Sequence, residues 1–159
     1  MCSSDLNLGP LRDLLRLIYE HQDRQTGDWP QWFMFYRFRD VQAAESHADI
    51  IHWPIKSLCD YVEATGDVSI LDEHVAYTND QTKAATAETE TIFAHTERQI
   101  ARIEDDCIPG TALPVFAGGD WEDTLQPADP EMAQRLVSAW TVELAYQTLH
   151  RYRTVCDRA

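Results

Sequence analysis

Ser46-His47-Ala48-Asp49-Ile50-Ile51-His52-Trp53-Pro54-Ile55-Lys56-Ser57-Leu58-Cys59-Asp60-Tyr61-Val62-Glu63-Ala64-Thr65-Gly66 is the stretch on which the fold turns. Ile51, Ile55, Leu58, Cys59 and Val62 recur at steps of three and four, which places them on one face of a helix from about Ala48 to Thr65. Gly66 follows the last periodic residue, where a left-handed C-terminal cap is easiest for glycine. Pro54 inside the stretch implies a kink or a late start, because proline lacks the amide proton an inner turn needs.

The same period runs outward in both directions. Leu11, Leu14, Leu15, Ile18 and Tyr19 mark a first helix with Pro10 in its opening turn. A polar turn from Asp23 to Asp28 ends it. Trp29 to Arg39, aromatic and containing Pro30, reads as an extended loop or short strand. Ser69 to Glu73 resembles a short capped turn. A third helix is expected from roughly Thr82 to Asp105, with Ile92, Phe93, Thr96, Ile100 and Ile103 on its stripe. The last helix opens with Asp129 as N-cap and Pro130 at the first helical position. Its expected buried face is Leu136, Val137, Trp140, Leu144, Leu149 and Tyr152. No strand alternation stands out, so the expected fold class is all-α.

Charge and cysteines narrow the function classes. The 159 residues hold 27 Asp and Glu against 13 Lys and Arg, a net charge of -14. That balance argues against nucleic acid, whose phosphates require cations, and against an anionic membrane surface. No apolar run approaches the ~20 residues of a bilayer span. Cys2, Cys59, Cys107 and Cys156 are far apart, with no Cys-x-x-Cys pair and no secretory signal, so free thiols in a reducing cytoplasm are expected. Met1 to Leu6 reads as a non-native leader encoded by a sequencing-adapter end, which sets residues 1–6 apart from 7–159.

Between the third and last helices lies an irregular segment, Asp106 to Ala128, holding Leu113-Pro114-Val115-Phe116-Ala117-Gly118-Gly119-Asp120-Trp121-Glu122-Asp123. Loops of this length without structure of their own tend to be functional or disordered, and Trp, Phe and Leu favour function. Three carboxylates around a tryptophan and two glycines suit a carbohydrate site. The indole offers a flat face to a sugar, a carboxyl can donate a proton, and glycine frees the backbone. The bland alternative is a Gly/Asp turn with a packed tryptophan. His47 and His52, five apart, do not share a helix face as paired ligands would, and no metal is expected.

The Gly119-Asp120-Trp121-Glu122-Asp123 string resembles the general-acid loop of glycoside hydrolase family 94, the inverting cellobiose, chitobiose and oligoglucan phosphorylases. Ser46 to Pro54, running into Glu63-Ala64-Thr65-Gly66-Asp67 and Leu71-Asp72-Glu73, is similar to a second family segment in the correct order. The Trp29-Pro30-Gln31-Trp32-Phe33 stretch leans toward the oligoglucan type. The resemblance covers roughly Leu8 to Tyr152. It implies that residues 7–159 are a fragment of an (α/α)6 catalytic toroid.

The resemblance further implies that Asp123 is the general acid, that Trp121 contacts sugar, and that Asp49 holds hydroxyls of the sugar whose bond is cleaved. Asp120 is a further substrate-binding candidate, as is Arg39, which with Arg37 is nearest to the family's arginine pair. Glu122 stands where many members have Asn. The implied partners are a β-linked oligosaccharide and inorganic phosphate as co-substrate, with no cofactor, in a full-length parent for which a homodimer is considered. Asp49 as a helix-starting acid held by the macrodipole is the competing reading of that residue. An inverting hydrolase on the same fold, or a non-catalytic helical fragment, are the alternative functions.

Overall fold

The computed structural model describes residues 9–43, 45–79, 81–122 and 124–159. Among the described residues there are five α-helices: α1 Gly9–Tyr19, α2 Trp53–Thr65, α3 Ile92–Asp105, the single turn α4 Pro130–Ala133, and α5 Ala139–Cys156. Two strands, β1 His74–Thr78 and β2 Ala85–Thr91, form an antiparallel hairpin.

The hairpin corrects the all-α expectation. The run Ala85 to Thr91 carries three threonines, whose branched side chains suit a pleated surface better than a helix face. In β1, Val75 and Tyr77 turn into the interior, and Thr78 is buried beside them. The third helix accordingly begins at Ile92, not near Thr82. Thr91 caps it by accepting a hydrogen bond from the Ala94 amide at 3.1 Å.

The second helix begins late, as Pro54 allows. A 3₁₀ turn, Ile50–His52, leads in, and Pro54 occupies the first turn of α2 where its missing donor costs nothing. Gly66 closes the helix with φ +73°, its amide donating to Val62 O at 2.8 Å. The helix packs against both α1 and α5. Its Ile55, Leu58, Cys59 and Val62 are fully buried, joined by Tyr19, Ile70, Ile92 and Val155 in one core. At about 1.5–3 kcal/mol for each large apolar side chain removed from water, this cluster is the main source of stability.

The single last helix expected from Asp129 is two helices. Asp129 does cap, its Oδ1 accepting from the Met132 amide at 2.7 Å, but α4 stops after Ala133 and α5 starts at Ala139. Leu144 and Tyr152 are buried as expected, whereas Trp140 sits at the start of α5 and is 42% exposed. On the opposite side, Leu11 and Leu14 of α1 are also exposed and border an apolar groove with Tyr61 and Ala64 of α2.

Candidate functional site

The two segments singled out in the sequence meet in space. The Ala48 amide donates to Gly119 O at 2.9 Å, and His47 Nδ1–H donates to Asp120 O at 3.2 Å. Both glycines are needed for this approach. A side chain on Gly118 would come within 3.2 Å of Ser46 O. One on Gly119, which adopts φ +141°, would meet the His47 ring at 3.2 Å. The Gly118–Gly119 pair thus lets the loop lie flat on the chain leading into α2.

Asp49 is 3% exposed and does not cap the turn that follows it. Its Oδ2 accepts from Trp53 Nε1 at 3.3 Å, while Oδ1 is buried with no hydrogen-bond partner among the described residues. Asp49 stands at the N-cap position of the 3₁₀ turn without a side-chain cap bond, so only its charge, not a capping contact, could serve the helix start. A buried oxygen left without a donor costs about 1–3 kcal/mol.

Asp120 is also buried, and both its oxygens are engaged. Oδ1 accepts from the Glu122 amide at 3.0 Å, and Oδ2 accepts from the Ser138 hydroxyl. Trp121, between these contacts, is 73% exposed, with its ring 5.9 Å from that of Trp140 and tilted by 40°. Glu122 faces solvent, and a hydrogen bond from Thr124 lowers its pKa below the ordinary glutamate value. Next to this loop an apolar hollow of about 550 Å³ is bordered by Phe116, Leu125, Met132 and Leu136.

The glycine-bearing loop with its exposed indole thus lies on the segment that carries the buried Asp49. Residues 38–159 match the family described as glycosyl hydrolase 94 superfamily, catalytic domain. The chain belongs to this family. It is also 45% identical over 145 residues to the 1,2-beta-oligoglucan phosphorylase of Listeria innocua serovar 6a (strain ATCC BAA-680 / CLIP 11262). That match covers 91% of this chain and 13% of the relative's length.

Within this family 94 chain the remaining sequence candidates fall as follows. Asp123 lies outside the described residues. Arg39 is tied to β1 and to the residue after α1: its guanidinium donates to Thr78 Oγ1 at 3.0 Å and lies 3.6 Å from the Glu20 carboxylate. No hydrogen bond joins it to Asp49 or to the 118–122 loop among the described residues. Arg37 lies over the Phe38 ring at 4.6 Å. Of the aromatic run, Trp29 is buried and donates to Ile18 O at 2.8 Å, so it is core, while Trp32 is exposed. No cluster of three or more His, Cys, Asp or Glu able to hold a metal occurs among the described residues.

Sequence reasoning missed Ser138 and Asp28. A serine directly before an apolar periodic run is a standard helix-start signal, but the stronger Asp129-Pro130 pair drew attention upstream. Asp28 accepts from the Trp29 amide at 2.7 Å and from the Ser46 hydroxyl at 3.5 Å. It borders a small cavity of about 90 Å³ with His52, Arg102 and Asp106. Burial pushes the Asp28 carboxyl up to about 6, with Asp106 adding to the shift and the Trp29 amide and Arg102 opposing it. Burial alone pushes His52 down to about 4.

The Asp28 shift has a stability consequence. A folded pKa above the ordinary 3.8 means the folded chain binds the proton more tightly than the unfolded one. The contribution is then fully present at acid pH and is lost as pH rises through about 6. Asp28→Asn keeps the acceptor and removes the titration. It is expected to stabilise the protein at pH 7 by about 1–2 kcal/mol, allowing for solvent screening of a half-buried group. Thermal melts of both proteins between pH 4 and 7 check this, and parallel curves would refute it.

Proposed function

We propose that this chain is part of the catalytic domain of an inverting β-glycoside phosphorylase. That enzyme would cleave a β-1,2-linked gluco-oligosaccharide with inorganic phosphate and release a sugar 1-phosphate. The observation that carries this reading is the 45% identity, across 91% of the chain, to a 1,2-beta-oligoglucan phosphorylase. The docking of the Gly118–Glu122 loop on the segment that carries Asp49 supports it from the geometry.

Inverting cleavage needs an acid at the leaving oxygen and a nucleophile on the opposite face of the ring. In the proposed reaction Asp123 gives its proton to the glycosidic oxygen as the C1–O bond breaks. A phosphate oxygen forms the new bond to C1 from the other side. Phosphate is already an anion, so no second carboxylate is required to activate it. Asp49 would accept hydrogen bonds from hydroxyls of the sugar undergoing cleavage, and Trp121 would lie against that sugar. Phosphate is a co-substrate here and no cofactor takes part. We place the enzyme in the cytoplasm, a location consistent with the free thiols of Cys59, Cys107 and Cys156, and take the full-length protein as a homodimer. No helix among the described residues is long and apolar enough to cross a membrane.

The test is a full-length protein carrying this sequence, given β-1,2-oligoglucan with and without phosphate. Sugar release should require phosphate and yield the α-configured glucose 1-phosphate. Release of free reducing sugar at the same rate without phosphate would overturn the reading in favour of hydrolysis.

A further inference from the structure

Ser138 stands at the N-cap of α5 with φ -88° and ψ 128°, the extended backbone an N-cap adopts. An N-cap serine ordinarily accepts a hydrogen bond from an amide of the first turn, which stabilises the helix by about 1 kcal/mol. Here the side chain makes no such bond. Its hydroxyl donates instead to Oδ2 of Asp120, eighteen residues earlier. The longest helix of the chain forgoes its own cap to hold a buried carboxylate on the loop.

That contact completes a clamp. Gly119 O is held by the Ala48 amide and Asp120 O by His47, both on the segment that carries Asp49. The Asp120 carboxylate is held by Ser138 on one oxygen and turns back to the Glu122 amide with the other. The backbone on both sides of Trp121 is therefore fixed while the indole itself stays in the open. Two residues after Ser138, Trp140 contributes the ring beside Trp121. Asp123 follows Glu122 by one peptide bond in the sequence.

We propose that Ser138 is a positioning residue. Through Asp120 it holds the peptide that carries Trp121, and the proposed general acid Asp123 follows this peptide directly in sequence, so loss of the clamp should disturb proton donation. Asp120 then acts within the protein as the handle of the loop, not as a sugar contact. This inference rests on the phosphorylase reading for its catalytic consequence and on geometry alone for the clamp.

The experiment compares Ser138→Ala and Ser138→Thr with the unaltered full-length enzyme. Misplacing a catalytic group by about 1 Å costs on the order of 10²-fold, so Ser138→Ala should lose roughly 10–10²-fold in kcat on β-1,2-oligoglucan. Its KM should stay within about threefold, because uniform substrate binding is not removed. On β-glucosyl fluoride, whose leaving group needs little help from an acid, the loss should shrink to a few-fold. Ser138→Thr, which restores a hydroxyl, should recover most of the activity. Hydrogen exchange at the Glu122 amide should quicken in the alanine variant as the loop loosens.

Unchanged kcat in Ser138→Ala, or an equal loss on both donors, would overturn the proposal. If Ser138→Ala does not fold, Asp120→Asn, which weakens the acceptor without changing its shape, should give the same donor-dependent pattern. Equal losses there would overturn it too. If the unaltered enzyme phosphorolyses neither donor, the phosphorylase reading fails, and exchange at Glu122 decides the clamp by itself. Faster exchange in Ser138→Ala would sustain the clamp, and unchanged exchange would refute it.

Discussion

Asp123→Asn is expected to abolish most phosphorolysis of β-1,2-oligoglucan, lowering kcat by roughly 10²–10⁴-fold, the usual contribution of a general acid. Asparagine keeps the volume and planarity of the side chain and deletes the transferable proton. The effect should fall on kcat and kcat/KM together, since the interaction lost is made in the transition state. To act as an acid, Asp123 must hold its proton at the working pH. A donor with an activated leaving group should retain most of its rate in the variant. Steady-state kinetics on oligoglucan and on β-glucosyl fluoride measure both effects. Near-normal turnover of oligoglucan would remove Asp123 from the role.

The candidate site was legible in the sequence as two motifs but not as one place. Glycines beside Asp120 and an acid before a proline-marked helix start are local signals, and both can be read from residue types alone. What brings them together is long-range: the Ala48 amide to Gly119 O spans 71 positions and His47 to Asp120 O spans 73. No spacing rule encodes such pairs. Asp120 shows the cost of this gap. By type and neighbourhood it reads as a sugar ligand, and the structure adds what the sequence does not show, that each of its oxygens already accepts a bond from within the protein, from Ser138 and the Glu122 amide. Arg39 is similar: a cation near the expected place in the chain, but directed to Thr78 and Glu20.

The fold divides along the same line. The first two helices were legible because their apolar stripes, Pro10, Pro54 and Gly66 are all local features, and each acts where its chemistry requires. The hairpin was not. Ala85 to Thr91 has little amphipathic character at either period, and its strand state depends on pairing with β1, whose Val75 and Tyr77 sit in the core. The break between α4 and α5 also lacks a glycine or proline to mark it. It is held by tertiary contacts, with the Phe116 amide donating to Leu136 O and Ser138 turned to Asp120.

Asp49→Asn should separate function from stability. Among the described residues, one buried oxygen of Asp49 has no donor and the other receives the 3.3 Å contact from Trp53. Such a group is a poor choice for stability, because an unsatisfied buried acceptor costs about 1–3 kcal/mol. It becomes favourable when a sugar hydroxyl donates to it, and a hydrogen bond to a carboxylate is worth about 1.5–3 kcal/mol, roughly a 10–10²-fold factor. The amide of asparagine accepts more weakly and carries no charge. The full-length enzyme bearing Asp49→Asn should therefore lose roughly 10–10²-fold in kcat/KM for oligoglucan. Its unfolding temperature without sugar should be equal to or higher than that of the unaltered protein, as expected where a site is kept for function at the expense of stability. Added oligosaccharide should raise the melting temperature of the unaltered enzyme more than that of the variant, since stabilisation by a ligand follows its affinity. A variant that melts lower yet keeps its kcat/KM would make Asp49 a structural acid, and the open oxygen would then have to be satisfied from within the fold.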